Sequence, residues 1–360
     1  MRLALSTGGG DAPGLNAVIR GAVLAAVNRG WSVYGIQKGF GGLLGNDRVI
    51  ALGPDEVRGI THQGGTILGT TNRADPFRWP APQPDGSVVE VDRSDELLAA
   101  FQAHGFDALI TIGGDGSLRI ARKLFEKGLP VIGVPKTIDN DVSGTVMTFG
   151  FDTAVSTATD ALDKLHSTAE SHERVMVVEV MGRYAGWIAL NAGVSGGADV
   201  ILIPEIPYDL DKVCAKIMDR DAKGRRFSIV VVAEGAVDSS GRRIVQAAAA
   251  KGGGMERLGG IAQVLAQQIA ERTGKETRSL SLGHLLRGGT PTTFDRLLSL
   301  RFGAAAVRLA GEKRFGVMVA LTPPTVSAVS LSEALAKPKQ VPLDSDTILT
   351  AREIGICLGD

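Results

Sequence analysis

Apolar and polar positions along this chain follow two rhythms: short β-branched runs, and longer stretches where apolar residues return at helical spacing. Leu3 to Thr7 is the first predicted strand, followed by Gly8-Gly9-Gly10 and a helix from about Leu15 to Asn28. Asp107 to Ile112 repeats the pattern before Gly113-Gly114-Asp115-Gly116-Ser117 and a helix beginning near Leu118. Val131 to Val134 repeats it again, closed by Pro135 and followed by Lys136-Thr137-Ile138-Asp139-Asn140-Asp141. A second series has strands at Val175 to Val180, Val200 to Ile203 and Ser228 to Ala233. Helices near Asp152 to Ser167, Gly186 to Ala192 and Asp209 to Asp221 separate them, with further helices at Leu258 to Arg272 and Thr292 to Ala310. Strands alternating with helices predict a largely parallel α/β sheet, and the two series predict two lobes with a cleft. The excursion Pro76 to Asp92 predicts a small exposed hairpin, and Gly252-Gly253-Gly254 a flexible turn at a weak boundary.

Composition narrows the function classes. At 360 residues the chain holds about two domains, and 44% hydrophobic residues supply a sizeable core. The 39 basic and 39 acidic residues balance, so no electrostatic case for nucleic acid or a membrane surface arises. Only Cys214 and Cys357 occur, without metal-ligand spacing, which suits a reducing cytosol. No apolar stretch is long enough to span a bilayer, and the N-terminus enters a strand without a signal-like core. A cytoplasmic protein is expected.

The polar cluster after Pro135 leaves its strand at the C-terminal edge, where open α/β sheets bind ligands. Asp139 and Asp141 would point the same way in an extended segment, and neighbouring carboxylates cost energy unless a metal, a cation or a substrate proton uses them. An Asx-turn with solvated acids is the alternative reading. Gly113-Gly114-Asp115-Gly116-Ser117 opens a helix, whose free N–H groups and dipole favour a phosphate. Asp115 among phosphates needs a cation, and Mg²⁺ is the usual one. Sharp strand–helix turns also use glycine, and the same run occurs in NAD kinases and diacylglycerol kinases, so it indicates nucleotide phosphates and not one enzyme. Gly8-Gly9-Gly10-Asp11-Ala12-Pro13-Gly14 is a second such turn, matching neither the dinucleotide fingerprint nor a P-loop.

Downstream, Met181-Gly182-Arg183 and Glu234-Gly235 follow strands, while His284 and Arg287 flank Leu285-Leu286. Arg174 and Arg278 open strands. Singly these read as surface arginines and a packed histidine; together, all at element ends, they read as a sugar-phosphate pocket.

These residues resemble the 6-phosphofructokinase family. The resemblance rests on Gly-Gly-Asp-Ala-Pro-Gly at 9–14, Gly-Gly-Asp-Gly at 113–116, Pro-Lys-Thr-Ile-Asp-Asn-Asp at 135–141, Met-Gly-Arg at 181–183 and Gly-His-Leu-Leu-Arg-Gly-Gly at 283–289. They occur in family order and at family-like spacing; the excursion at 76–92 and the tail past about Leu321 are less covered. The resemblance implies two Rossmann-like three-layer α/β/α lobes with the active site in the cleft between them. One lobe, 1–150 plus about 286–336, would hold the phosphoryl donor and Mg²⁺, and the other, 151–285 plus about 337–360, fructose 6-phosphate.

It also implies phosphoryl transfer to the 1-hydroxyl of fructose 6-phosphate, a step of glycolysis. Asp139 matches the catalytic base, and Thr137 and Asp141 its neighbours at the transferring phosphate and sugar. Asp115 matches the Mg²⁺ aspartate, and Gly10, Arg73 and Gly113 to Ser117, with Gly114 and Gly116, match the donor site. Arg183, Met181, Gly182, Glu234, His284 and Arg287 match the sugar-phosphate site. Arg174 and Arg278 match arginines that reach a neighbouring subunit's site, implying a homo-oligomer, commonly a tetramer.

Two donor markers disagree. Gly116 is the residue typical of ATP users, because an aspartate there would exclude the α-phosphate. Lys136 is typical of pyrophosphate users, although its cation could serve either donor. ATP is the expected donor, with pyrophosphate the runner-up. Leu24, where the bacterial ATP enzymes usually carry an arginine, and His166 make ADP or phosphoenolpyruvate regulation unexpected. A non-catalytic sugar-phosphate sensor would lack Asp115 or Asp139, and both are present. Another phosphosugar, such as sedoheptulose 7-phosphate, remains open as acceptor.

Overall fold

The first strand has side chains on both faces that need cover. In Arg2–Thr7, Leu3 and Leu5 are buried on one face and Ala4 on the other. The computed structural model describes residues 1–45, 48–247 and 257–360, so the Gly252-Gly253-Gly254 turn lies outside the described residues. The chain divides into two units, one of residues 1–138, 142–153 and 287–338, the other of 139–141, 154–286 and 339–360.

The first unit is built on a seven-stranded sheet. Its order is Thr325–Ser330, Val317–Thr322, Val131–Pro135, Ala108–Gly113, Arg2–Thr7, Ser32–Ile36, Val49–Leu52. The five inner strands are parallel, and the two edge strands pair antiparallel. Helices Leu15–Val27 and Thr293–Gly311 cover one face, burying Leu15, Ile19 and Phe302 against Leu3, Ile110 and Val134. Helices Ser94–Ala103 and Asp115–Glu126 cover the other, with Leu97, Leu118 and Leu124 against Ala4 and Leu109. The excursion forms an antiparallel hairpin, Trp79–Pro82 with Val88–Val91.

The second unit has a four-stranded parallel sheet, ordered Thr277–Ser281, Val175–Val180, Ser228–Ala233, Val200–Leu202. Helices Leu210–Ala222 and Ile261–Thr273 bury Val213, Ile217, Leu265 and Ile269 against Val177, Val230 and Val232. Asp209 caps the first of these, its carboxylate accepting from the Asp211 amide at 2.8 Å. Cys214 and Cys357 are both free thiols.

One boundary differs from the sequence expectation in a way that touches the chemistry. The helix expected to begin near Leu118 begins at Asp115, behind an extended Gly114. Asp115, Gly116 and Ser117 therefore lie in its first turn, among amides with no intrahelical partner.

Candidate active site

Three adjacent parallel strands of the first unit end together. Thr7 stands opposite Ile112, and Gly113 opposite Pro135, so the turns that follow leave one sheet edge. The Gly8 amide donates to the Ile112 carbonyl at 3.0 Å, and the Lys136 amide to the Gly113 carbonyl at 2.9 Å. Ser117 fills the space between the first two turns. A β-carbon at Gly8 would lie 2.6 Å from its Oγ, and one at Gly113 2.4 Å from its Cβ, so only glycine lets these turns close over it. Gly116 is the opposite case: a β-carbon there would meet nothing within 4 Å.

The buried Lys136 reaches back to the first turn, donating its ammonium to the Gly10 carbonyl. Arg287 closes the same turn from the far end of the sequence. Its Nη1 donates to the Asp11 carbonyl at 3.2 Å and lies 3.0 Å from where a Gly10 β-carbon would be. A loop from the excursion side also packs here: the Thr70 hydroxyl donates to the Gly9 carbonyl at 2.6 Å, and the Gly9 amide to the Thr71 carbonyl at 3.2 Å. That loop carries the exposed Arg73. Thr137 is buried, its carbonyl accepting from the Thr148 hydroxyl at 2.8 Å.

The Asp115 carboxylate is half-exposed and paired with Arg119 at 2.8 Å, one turn along the helix. An exposed pair of this kind is worth little, so it yields readily to a better partner. Among the described residues no group of three or more acidic, histidine or cysteine side chains could hold a metal. A lone carboxylate beside free helix amides suits Mg²⁺ arriving with phosphates, which needs one or two protein oxygens and not a full cage.

In the second unit, Val180 stands opposite Ala233, so the Met181-Gly182-Arg183 and Glu234-Gly235 turns emerge side by side. The Gly235 amide donates to the Gly182 carbonyl at 3.1 Å, and a β-carbon at Gly235 would lie 2.0 Å from the Arg183 carbonyl oxygen. His284 follows the neighbouring strand Thr277–Ser281 at the same end, in the short helical turn Gly283–Arg287. Arg174 and Arg278 sit at the other end of this sheet. Both pair with Glu276, at 2.9 and 2.6 Å, and the length of Val175–Val180 separates Arg174 from Met181 by roughly 20 Å.

Asp139, Asn140 and Asp141 belong to this second unit, with Asn140 in the left-handed region at φ 51°. A residue from the tail meets them there. The Lys339 ammonium donates to Asn140 Oδ1 at 3.1 Å, and its amide to the Asp141 carbonyl at 2.9 Å. Burial pushes the Lys339 ammonium down to about 8, with Asp141 opposing.

The sequence model described as Phosphofructokinase matches residues 2–310. The chain belongs to the phosphofructokinase family. "ATP-dependent 6-phosphofructokinase" of Chloroflexus aurantiacus is 51% identical, the match spanning 100% of this chain and 98% of the relative. "ATP-dependent 6-phosphofructokinase 1" of Synechocystis sp. is 49% identical, with the same coverage. Among solved structures, Pichia pastoris phosphofructokinase in the T-state superposes with a TM-score of 0.79 at 31% identity over 98% of this chain, which spans 36% of the Pichia chain. A pyrophosphate-dependent phosphofructokinase from Marinobacter aquaeolei reaches 0.80 at 22% identity, covering 99% of this chain and 88% of its own, and so speaks to the fold alone.

For this phosphofructokinase-family chain, each unit gathers part of the expected set. Gly10, Arg73, Gly114, Asp115, Gly116, Ser117, Lys136, Thr137 and Arg287 lie in the first unit. Asp139, Asp141, Met181, Gly182, Arg183, Glu234 and His284 lie in the second, with Arg174 and Arg278 apart at the far end of its sheet. His166 is occupied locally, its Nε2 2.7 Å from the Gly196 carbonyl. Sequence reasoning missed Lys339 and Glu205. Lys339 sits in a proline-flanked stretch without periodicity, beyond the matched family residues. Glu205 is held up by burial, while the Val341 amide at 2.9 Å and the Gly186 amide at 3.0 Å favour its charged form. Only its acid-after-strand position, shared with Glu234, could have flagged it.

Proposed function

We propose that this chain is an ATP-dependent 6-phosphofructokinase, transferring a phosphoryl group to the 1-hydroxyl of fructose 6-phosphate in cytoplasmic glycolysis. The observation that carries the reading is the single sheet edge where the Gly8–Gly10 turn, the Gly113–Ser117 turn and Lys136 meet, with open space at Gly116. Free amides at Gly114 to Ser117 would take donor phosphate oxygens, with Lys136 as a cation beside the first turn. Asp115 would hold Mg²⁺, which, when bound, neutralises phosphate charge.

Asp139 would accept the proton of the sugar 1-hydroxyl. It follows Thr137 by two positions, so the chain itself keeps their Cα atoms within about 7 Å. Thr137 and Asp141 would orient the reacting groups, and Met181, Gly182, Arg183, Glu234, His284 and Arg287 would bind the sugar phosphate. Arg174 and Arg278, at the opposite end of their sheet, would serve a neighbouring subunit of a homo-oligomer, commonly a tetramer. Those positions make little sense for the subunit's own Met181–Arg183 turn.

Pyrophosphate is the second reading, favoured by Lys136. Relatives about half identical are named for ATP, and the vacancy at Gly116 supports the same donor. Purified protein incubated with ATP, Mg²⁺ and fructose 6-phosphate should yield ADP and fructose 1,6-bisphosphate, followed by ³¹P NMR. Persistence of both substrates would sink the proposal.

A further inference from the structure

The tail segment Lys339–Val341 touches the Asp139–Asp141 turn and the Tyr184–Trp187 stretch that follows Met181-Gly182-Arg183, although nothing in its own sequence marks it. Besides its two bonds to Asn140 and Asp141, Lys339 accepts through its carbonyl from Trp187 Nε1 at 3.3 Å. Its ammonium also lies 5.1 Å from the centroid of the Trp187 ring, within cation–π range. Gln340 Nε2 donates to the Tyr184 carbonyl at 3.4 Å, and the Val341 amide to Glu205 Oε1 at 2.9 Å. Glu205 in turn accepts from the Gly186 amide at 3.0 Å. Pro338 and Pro342 bracket the segment, restricting its backbone before any contact forms.

We propose that Lys339 is a positioning residue for phosphoryl transfer, locking the Asp139–Asp141 turn against the loop that follows Met181-Gly182-Arg183. This rests on the function proposed above. The turn pivots on Asn140, a non-glycine residue in the left-handed region, so rotation there would swing the carboxylates on both sides of it. Lys339 holds the pivot twice, by side chain at Asn140 and by backbone at Asp141, and ties it through Trp187 to the neighbouring loop. A general base must stay within hydrogen-bond reach of its proton, and small misplacements are costly. Lys339 acts by holding the turn; Asp139 does the chemistry.

The test is steady-state kinetics on full-length Lys339→Met, Asn140→Ala and the double variant. Lys339→Met should lower kcat roughly 10- to 100-fold. KM for fructose 6-phosphate and for ATP should stay within about 3-fold, because neither substrate loses a direct contact. The double variant should lose no more than the worse single one, since both break the same link. Wild-type kcat in Lys339→Met, or losses that multiply in the double variant, would overturn the inference. If the methionine chain does not fold, Lys339→Leu, which also removes the donor, replaces it: a reduced kcat at unchanged KM supports the inference and a wild-type kcat sinks it. Inactivity of the wild-type protein would instead sink the functional reading itself.

Discussion

The ammonium of Lys136 donates to the carbonyl oxygen of Gly10, a residue 126 positions earlier in the chain. A charge-assisted bond from a buried lysine to a backbone oxygen is worth about 1.5–3 kcal/mol. It fastens the exit of Val131–Pro135 to the turn after Arg2–Thr7, and places a cation where a donor's phosphates would lie. Lys136→Met should therefore lower the melting temperature by several degrees and reduce kcat/KM for the donor roughly 10- to 100-fold. Differential scanning calorimetry and initial-rate kinetics check the two effects. A variant with wild-type melting and wild-type donor kinetics would contradict the role.

Gly116 separates donor choice from folding. A β-carbon there meets nothing within 4 Å, and the residue lies in the first turn of Asp115–Glu126, where an acid is favoured by about 0.3–1 kcal/mol. Gly116→Asp should melt at or above the wild-type temperature yet lose roughly 100-fold in kcat/KM with ATP, because its charge would meet the α-phosphate. Undiminished ATP turnover would show that this position does not read the donor.

Asp139→Asn keeps the shape of the side chain and removes the carboxylate proposed as the base. Turnover should fall by roughly 10²–10⁴-fold with KM for fructose 6-phosphate nearly unchanged. The unchanged KM matters, since a large rise with kcat intact would make Asp139 a binding residue only.

Asp295 gives a pH-dependent stability. It is fully buried at the start of Thr293–Gly311, accepting from the amide and hydroxyl of Thr153 at 2.8 and 2.6 Å. Burial raises its pKa from 3.8 to about 6, with the Thr153 and Gly150 donors opposing and Asp152 adding to the rise. The folded chain then holds this proton more tightly than the unfolded one. Its contribution is most favourable below about pH 4 and is lost as pH rises to about 6, by about 3 kcal/mol in all. In Asp295→Asn that slope should vanish from urea-unfolding free energies measured between pH 4 and 7. An unaltered slope would mean another group carries it.

Much of the architecture was legible because strand and helix periods differ. Val175–Val180 and Ser228–Ala233 appear where their β-branched runs stand, and Pro76 to Asp92 holds the expected hairpin. The chain leaves Arg2–Thr7, Ala108–Gly113 and Val131–Pro135 at one edge of the first unit's sheet because parallel neighbours in register must end together. Other features were hidden for physical reasons. Val317–Thr322, buried on both faces, and Thr325–Ser330, the half-exposed edge strand, form a hairpin in which neither strand shows a clean alternation. The helix that begins at Asp115 has Gly116 as its second residue, whose poor helix propensity disguises the first turn. Lys339 and Glu205 make their contacts with residues distant in sequence, which local patterning cannot register.

The most direct test of the account is the ratio of kcat/KM for Mg²⁺-ATP to that for Mg²⁺-pyrophosphate, measured side by side with saturating fructose 6-phosphate. The open space at Gly116 predicts a ratio well above one, with fructose 1,6-bisphosphate as the product. A ratio below one, with Lys136 essential and Gly116→Asp harmless, would contradict it.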